Sequence, residues 1–362
     1  MAAAPELPKK YKAIVFDKPG SHSTKLVELD MPEPGPGEVL INLSCSGVCA
    51  SDHGVMMSSW ANLPYPTPEN QVGGHEGVGR VVKLGPGSAE MSTVKVGDRV
   101  GIKWISAICD SCPACRAGHD GVCFNQKISG YYTPGTFQQY VLGPANYVTK
   151  IPDGLSDTDA APMLCAGVTT YSALRKSNAL SGEFVVLLGA GGGLGNVAAQ
   201  IASKGMALRV IGVDADAKES FALSSGCEAF VPLSLGDKIP DRVRELTGGM
   251  GAHAVIVLTG SNAAYAQAID MLRFGGTLVC VGVPVNEPVT IASAFPQFLI
   301  KFAKKIVGVP VGNRKDADEV MEFAARGIVK SNYRVEKMDK LSDVFEEMEA
   351  GTLQGRVVLD LS

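Results

Sequence analysis

Residues 184–214 read FVVLLGAGGGLGNVAAQIASKGMALRVIGVD, and this stretch decides the fold. FVVLL is a continuous apolar run of the kind a parallel sheet buries on both faces. GAGGGLG follows it directly and opens the helix-forming run NVAAQIASKG. In such a turn Gly189, Gly191, Gly192, Gly193 and Gly195, with Leu194 among them, let a pyrophosphate approach the backbone, and the free N–H groups of the helix start favour an anion. Counted from Gly189 the sixth position is Leu194, so the match to G-x-G-x-x-G is not strict; the placement between strand and helix carries the reading. Asp214 ends the next strand, nineteen residues after Gly195. A carboxylate there accepts both ribose hydroxyls and repels a 2′-phosphate, so NAD(H) is expected over NADP(H). The competing reading is an aspartate capping the next helix. Lys218 is a second candidate for the same ribose.

Working outward, AFVPL, AVIVLTG and TLVCVGVP are further continuous apolar strands, and KESFALSSG and SNAAYAQAIDMLRFGG are helical stretches closed by glycine. This alternation predicts a doubly wound α/β domain. The first third has another texture: YKAIVF, KLVEL, EVLINLSCSG, VGRVVKLG and DRVGI are short strands separated by Pro and Gly, predicting a compact β-rich domain. Near the end, DADEVMEFAARG and LSDVFEEMEAG read as amphipathic helices and GRVVLDL as a strand. No helix follows that strand to continue the winding, so the tail is expected to return to the β-rich domain.

At 362 residues two domains are a better expectation than one. With 46% hydrophobic and 19% charged residues, the composition excludes a disordered chain. A net charge of −4 offers no broad footprint for nucleic acid or an anionic membrane and suits a small neutral substrate. The stretch 184–203 is uncharged and of membrane-span length, but its five clustered glycines, Asn196 and Gln200 fit a strand, turn and helix better. MAAAPELPKKYKAIVF lacks the pattern of a secretory signal, so an intracellular, cytoplasmic protein is expected.

Nine cysteines in such a chain point to metal rather than disulfides. Cys109-x2-Cys112-x2-Cys115-x7-Cys123 places four thiols within fifteen residues, with Pro113, Gly118 and Gly121 among them. Such a loop can close around one tetrahedral zinc with no open position. An iron–sulfur cluster is the rival, but nothing else in the chain suggests redox partner chemistry. A second set is dispersed: Cys49 in SCSGVCASD, His75 in GGHEGVGRV and Cys165 in PMLCAGVTTY. Two thiolates and an imidazole leave a fourth position free, which is a catalytic zinc arrangement. Singly, each of these residues has an ordinary core or turn reading. Cys45, Cys227 and Cys280 read as structural, and His22, His119 and His253 have no ligand context.

Together, GGHEGVGRVVKLG, the four-cysteine loop, YYTPGTFQQY, PMLCAGVTTYSAL and VGNR resemble the zinc-dependent medium-chain alcohol dehydrogenases, most closely the tetrameric yeast and fungal branch. The likeness runs from about Tyr11 to Leu361. It implies a GroES-like β-rich catalytic domain over 1–165 holding both zinc sites, a Rossmann NAD-binding domain over 166–310, and a return of 311–362 to the catalytic domain. It implies one catalytic and one structural zinc per subunit, NAD(H), a small alcohol or aldehyde substrate, and a homotetramer or at least a homodimer. VTIASAF and TLVCVGVP are the strands that could pair across subunits.

By the same resemblance Cys49, His75 and Cys165 are the catalytic zinc ligands, and Glu76 is a neighbouring carboxylate able to approach the metal. Asp52 is the carboxylate behind the ligand histidine, a partner that fixes its tautomer. An alcohol oxygen at the open position loses its proton more readily, and hydride can then pass to nicotinamide. Ser51 is the hydroxyl that takes the proton onward; capping of the turn is its other reading. Thr169, Val281, Gly282 and Val283 match positions around the nicotinamide, with plain strand core as the alternative for the valines. Arg314 matches a pyrophosphate contact.

The chain departs from the family pattern at three places. Gly54 stands where many relatives place a relay histidine, with His53 one residue earlier; a step of about 100° around a helix separates the two directions, so His53 is either a relay or cofactor contact or a solvated histidine. Ala50 stands where relatives usually place Arg or His on the pyrophosphate, which should weaken cofactor hold. MMSSWANLPYPTPENQV lengthens the gap between Cys49 and His75, and with Trp60, Met56 and Met57 it is expected to border the substrate cleft. The expected reaction is reversible oxidation of a primary alcohol to an aldehyde. The alternatives are a polyol or secondary-alcohol dehydrogenase, or a catalytically silent binding protein on the same fold.

Overall fold

The computed structural model describes residues 7–60, 64–284, 289–353 and 355–362; residues 61–63 of the long segment after Cys49 lie outside it. The chain forms two compact units. One comprises Met1–Ala117, Cys123–Cys165 and Tyr333–Ser362, and the other Gly118–Val122 and Ala166–Asn332.

In the first unit the strand Glu38–Val48 is the hub. It pairs antiparallel with Glu76–Leu84, with Tyr140–Pro144 and with the terminal strand Arg356–Asp360. Arg356–Asp360 in turn pairs parallel with Tyr333–Lys337. A smaller sheet of Thr24–Asp30, Lys10–Phe16 and Gln71–Val72 lies in the same unit. The core between them holds Phe16, Ile41, Phe137, Leu341 and Phe345, all fully buried. The register decides what meets at the hub's end: Gly47 faces Glu76, and Val48 faces Val357. Cys49, His75, Glu76 and Arg356 are therefore all delivered to one edge of the sheet.

The second unit is a six-stranded parallel sheet, in the order Ala229–Pro232, Arg209–Asp214, Phe184–Leu188, Ala252–Val257, Leu272–Cys280, Lys305–Gly308. The winding reverses beside Phe184–Leu188, which puts the end of the FVVLL strand at the switch point, where open α/β sheets bind ligands. Val185, Val186 and Leu187 are completely buried, as continuous apolar runs require.

Three expectations change. The helix in SNAAYAQAIDMLRFGG is confined to Asn262–Ala268, capped by Ser261, and the strand begins at Leu272. Gly275 has φ +70°, which a continuing helix cannot accommodate, and the register of that strand shifts across it. The helix Arg314–Ala325 belongs to the second unit, where Arg175 pairs with Asp316 and Tyr171 donates to Glu319, so the chain returns at Tyr333 rather than at 311. Finally, TLVCVGVP lies inside the sheet with both sides paired and VTIASAF forms no strand; Lys305–Gly308 is the edge. No helix among the described residues is long and apolar enough to cross a membrane.

Candidate active site and metal centres

Cys49 precedes the short helix Ala50–Met56, and the N–H of Cys49 donates to Asp52 Oδ2 at 2.9 Å, closing the helix start. The other oxygen of Asp52 lies 2.7 Å from His75 Nδ1. With Nδ1–H so engaged, His75 presents Nε2 as a lone pair. Nε2 stands 3.3 Å from Cys165 Sγ, and Cys49 Sγ is 3.8 Å from Cys165 Sγ. Two thiolates on one tetrahedral zinc, at about 2.3 Å each, are about 3.8 Å apart. The donor set fits the metal.

Glu76 is completely buried and paired with Arg356, yet among the described residues its Oε2 has no partner. The donor atoms of Cys49, His75, Glu76 and Cys165 all lie within 4.8 Å of one another. Gly47 makes this possible, because a Cβ there would sit 1.9 Å from Glu76 Oε2. Burial pushes the Glu76 carboxyl up to about 7 against the pull of Arg356. The sulfur contact with Cys165 holds the Cys49 thiol well below its usual range, and the same contact holds Cys165 well above it. Burial would lower the basicity of His75, but the Asp52 carboxylate overrides it and keeps the imidazole well above its ordinary value. A second aromatic layer completes the corner: Trp104 stands edge-on to His75 with ring centres 4.9 Å apart, and Trp60 follows at 6.0 Å.

The other cysteine cluster is closed. Sγ separations of 3.6 Å for Cys112–Cys115, 4.0 Å for Cys112–Cys123 and 3.6 Å for Cys109–Cys123 bracket the tetrahedral value. Backbone N–H groups of Cys112 and Asn125 point at Cys109 and Cys123 sulfurs at 3.4 Å, the outer hydrogen bonds that stabilise thiolates. Backbone donors around Ser111 bring Cys109 down to about 5.

In the second unit Gly189 has φ +92°, and a Cβ on Gly195 would meet Gly189 O at 2.1 Å. Those two positions need glycine. Asp214 Oδ2 accepts the Gly191 N–H at 2.8 Å, and Lys218 Nζ stands 4.0 Å from Asp214 Oδ1. A cavity of about 310 Å³ opens beside the turn, lined by Gly189, Asp214, Ile239, Thr259, Ser261 and Gln267. The helix Gly193–Gln200 begins at this turn and leaves its first N–H groups without intrahelical acceptors.

Residues 35–153 match the alcohol dehydrogenase GroES-like domain, and residues 193–326 match the zinc-binding dehydrogenase family. Alcohol dehydrogenase 2 of Emericella nidulans is 61% identical, with 99% of this chain and 100% of that protein aligned. This chain belongs to the zinc-dependent alcohol dehydrogenases. The alcohol dehydrogenase of Schizosaccharomyces pombe is 39% identical over 98% of this chain and 99% of that one. Among solved structures, the alcohol dehydrogenase of Aeropyrum pernix superposes with a TM-score of 0.83 at 28% identity, covering 97% and 99% of the two chains. Acetophenone reductase from Geotrichum candidum, solved with NAD, gives 0.82 at 28% identity, covering 98% of each. As a zinc-type alcohol dehydrogenase of fungal type, the protein is an oxidoreductase of the zinc and NAD(H) class, and neither the polyol nor the silent-binder alternative is favoured.

Against the alcohol dehydrogenase pattern, Gly54 has a structural reason: a Cβ there would stand 2.9 Å from Trp60 Nε1, so the indole occupies the space a side chain would need. Ser51 is half-buried in the first turn after Cys49. His53 turns Nε2 to His22 Nε2 at 2.9 Å, which corrects the expectation that His22 lacks a ligand context. Met56 is completely buried in the core rather than open to a cleft, while Met57 and Trp60 are partly exposed. Thr169 is buried in the helix Ala166–Lys176. Val281 is half-buried, Val283 exposed, and a Cβ on Gly282 would meet Thr259 O at 2.3 Å. Arg314 is already paired: its N–H donates to Asp120 Oδ2 at 3.1 Å and its Nε stands 3.8 Å from the same oxygen. Arg356, Gly47 and Trp104 were not legible as site residues, because each reaches the site only through sheet register or ring packing.

Proposed function

We propose that the enzyme interconverts a primary alcohol and its aldehyde, with Cys49, His75 and Cys165 holding the catalytic zinc and Cys109, Cys112, Cys115 and Cys123 the structural one. The observation that carries this reading is the fully buried His75, fixed at Nδ1 by Asp52 and presenting Nε2 to two cysteine sulfurs. When bound, zinc supplies Lewis acidity at the substrate oxygen and NAD(H) supplies the two-electron exchange. Asp52 holds the His75 tautomer. Glu76 keeps one oxygen turned toward the ligand set while Arg356 anchors the other, so the carboxylate can approach the site without leaving its partner. Ser51 accepts the proton released by the substrate hydroxyl as it gives its own hydroxyl proton onward to water, so the residue ends neutral. His53, with Nε2 turned to His22, is assigned no proton step.

Gly189, Gly191, Gly192, Gly193, Leu194 and Gly195 take the pyrophosphate at the helix start, and Asp214 with Lys218 takes the adenosine ribose. Thr169, Val281 and Val283 remain the positions assigned to the nicotinamide. Arg314, whose Nε stands 3.8 Å from Asp120 Oδ2, is assigned to the pyrophosphate. Trp104 beside His75, with Trp60 packed against Trp104, selects small or flat substrates. We assign the enzyme to the cytoplasm as a homotetramer; the outer side of Lys305–Gly308, unpaired among the described residues, supports pairing between subunits, which light scattering on the purified protein tests. Zinc content per subunit, measured alongside NADH oxidation with aldehydes from short aliphatic to aromatic, tests the central reading. Two tightly held zincs with turnover support it, and turnover without zinc overturns it.

A further inference from the structure

His22, His53 and Glu349 come from three distant parts of the chain and converge at the surface of the first unit. His22 lies in the loop after Lys10–Phe16, His53 on the helix Ala50–Met56, and Glu349 at the end of the helix Leu341–Glu349. His22 Nε2 is 2.9 Å from His53 Nε2 and 3.3 Å from Glu349 Oε2, and all three donor atoms lie within 4.8 Å of one another. Without a cation, the single Nε2–H of His22 would have to be shared between two acceptors, the His53 Nε2 lone pair and the Glu349 carboxylate. A cation at the point they share satisfies all three together.

We propose that His22, His53 and Glu349 form a third metal site, open to solvent, for a first-row divalent cation of the Zn2+ or Cu2+ kind. With metal–ligand bonds of about 2.0–2.1 Å, a separation of 2.9 Å subtends about 90° at the metal and 3.3 Å about 107°. The first angle is native to tetragonal Cu2+, and opening it by about 0.4 Å reaches the tetrahedral value of Zn2+. Two imidazoles and a carboxylate are borderline ligands, for which Cu2+ and Zn2+ stand at the tight end of the divalent series.

The three segments are held in place independently of any metal. Gly20 N–H donates to Met56 O at 2.8 Å, tying the His22 loop to the His53 helix. Thr24 and Ser342 hydroxyls meet at 2.7 Å, tying that same loop's far end to the helix of Glu349. Phe345, one turn before Glu349, packs against the His53 ring with centres 5.6 Å apart. Burial also lowers the basicity of His53, which keeps its lone pair available at neutral pH. The site is therefore preorganised, and it shares no donor with either cysteine-containing cluster.

The test uses holoenzyme carrying its two tightly held zincs, washed free of loose metal and equilibrated by dialysis against graded Zn2+. One further equivalent per subunit is expected. His22→Ala should lower its affinity by more than about tenfold, the cost of losing even an outer partner of a ligand, and Glu349→Gln should weaken it several-fold, both with the two core zincs retained. Cu2+ added below one equivalent should show electron paramagnetic coupling to two imidazole nitrogens, falling to one in His22→Ala. Should His22→Ala fail to fold, Glu349→Gln carries the comparison, since that carboxylate is exposed. No further equivalent, or one that is undiminished in the variants, overturns the proposal.

Discussion

Asp52 serves two residues with its two oxygens: Oδ1 lies 2.7 Å from His75 Nδ1 while Oδ2 accepts the N–H of Cys49 at 2.9 Å. One carboxylate thus fixes two residues of the proposed zinc site that are 26 positions apart in sequence. Asp52→Asn keeps the shape but removes the charge that supports a strongly donating imidazole. Zinc retention at the Cys49 site against a chelator should fall by about 10–100-fold, with the four-cysteine zinc unaffected. Equal loss from both sites would show that Asp52 supports the fold rather than the ligand.

The two cysteine clusters should separate activity from stability. If Cys49 is a ligand of an open site, as proposed, Cys49→Ser should lose turnover while the melting temperature changes little. Cys112→Ser opens a closed site whose metal contributes to folding, and a loss of about 3 kcal/mol, or about 5–10 °C in Tm, is expected. Calorimetry with metal analysis distinguishes them, and full activity in Cys49→Ser would refute its assignment.

Arg356 is buried at 5% exposure against Glu76 at 0%, and each keeps one polar atom without a partner among the described residues. Arg356→Met leaves the carboxylate buried without its counter-charge and should destabilise the protein by about 3–5 kcal/mol in urea. Adding Glu76→Gln to Arg356→Met should recover much of that loss, because the charge that needed a partner is gone. If the double variant is as unstable as the single one, packing rather than charge explains the effect.

The pattern of what could be read in advance follows from distance along the chain. The four-cysteine loop and GAGGGLG are each continuous, so ligand spacing or strand–turn–helix order carries their meaning directly. Glu76 and Arg356 lie 280 positions apart, and they meet because Glu38–Val48 accepts Glu76–Leu84 on one side and the terminal strand on the other. Nothing in GRVVLD marks its arginine as inward-facing until that register is known. His22, His53 and Glu349 are hidden for the same reason. Local conflicts also shorten elements: RFGG continues an apolar pattern, but the chain is already extended from Leu272, and Gly275 at φ +70° then shifts the strand's register. Gly54 looks like a lost catalytic residue in sequence and in structure is the space taken by Trp60.

Asp214 should set the choice of cofactor. Asp214→Asn can still accept the Gly191 N–H seen at 2.8 Å, so the turn is preserved while the charge that repels a 2′-phosphate is removed. The ratio of kcat/KM with NADPH to that with NADH should rise by about tenfold, mainly through KM. An unchanged ratio would count against a ribose role.

A pair outside the site gives a pH-dependent test of the terminal strand. Lys337 and Asp360 face each other in the parallel register of Tyr333–Lys337 and Arg356–Asp360, with Nζ 2.5 Å from Oδ2. Hydrogen bonds from Lys337 and Ser362 bring the Asp360 carboxyl down to about 2, below the unfolded-chain value of 3.8. A carboxylate whose folded value is depressed stabilises the native state above the unfolded value and loses that contribution as the pH falls toward the folded one. The pair is partly exposed, so after solvent screening the expected contribution is about 1 kcal/mol at neutral pH. Asp360→Asn should therefore be less stable than the parent by a constant amount from pH 8 to about 5, and the gap should shrink below about pH 4. Urea midpoints measured across that range check this, and a gap that widens on acidification would mean that the carboxylate is not stabilised in its charged form.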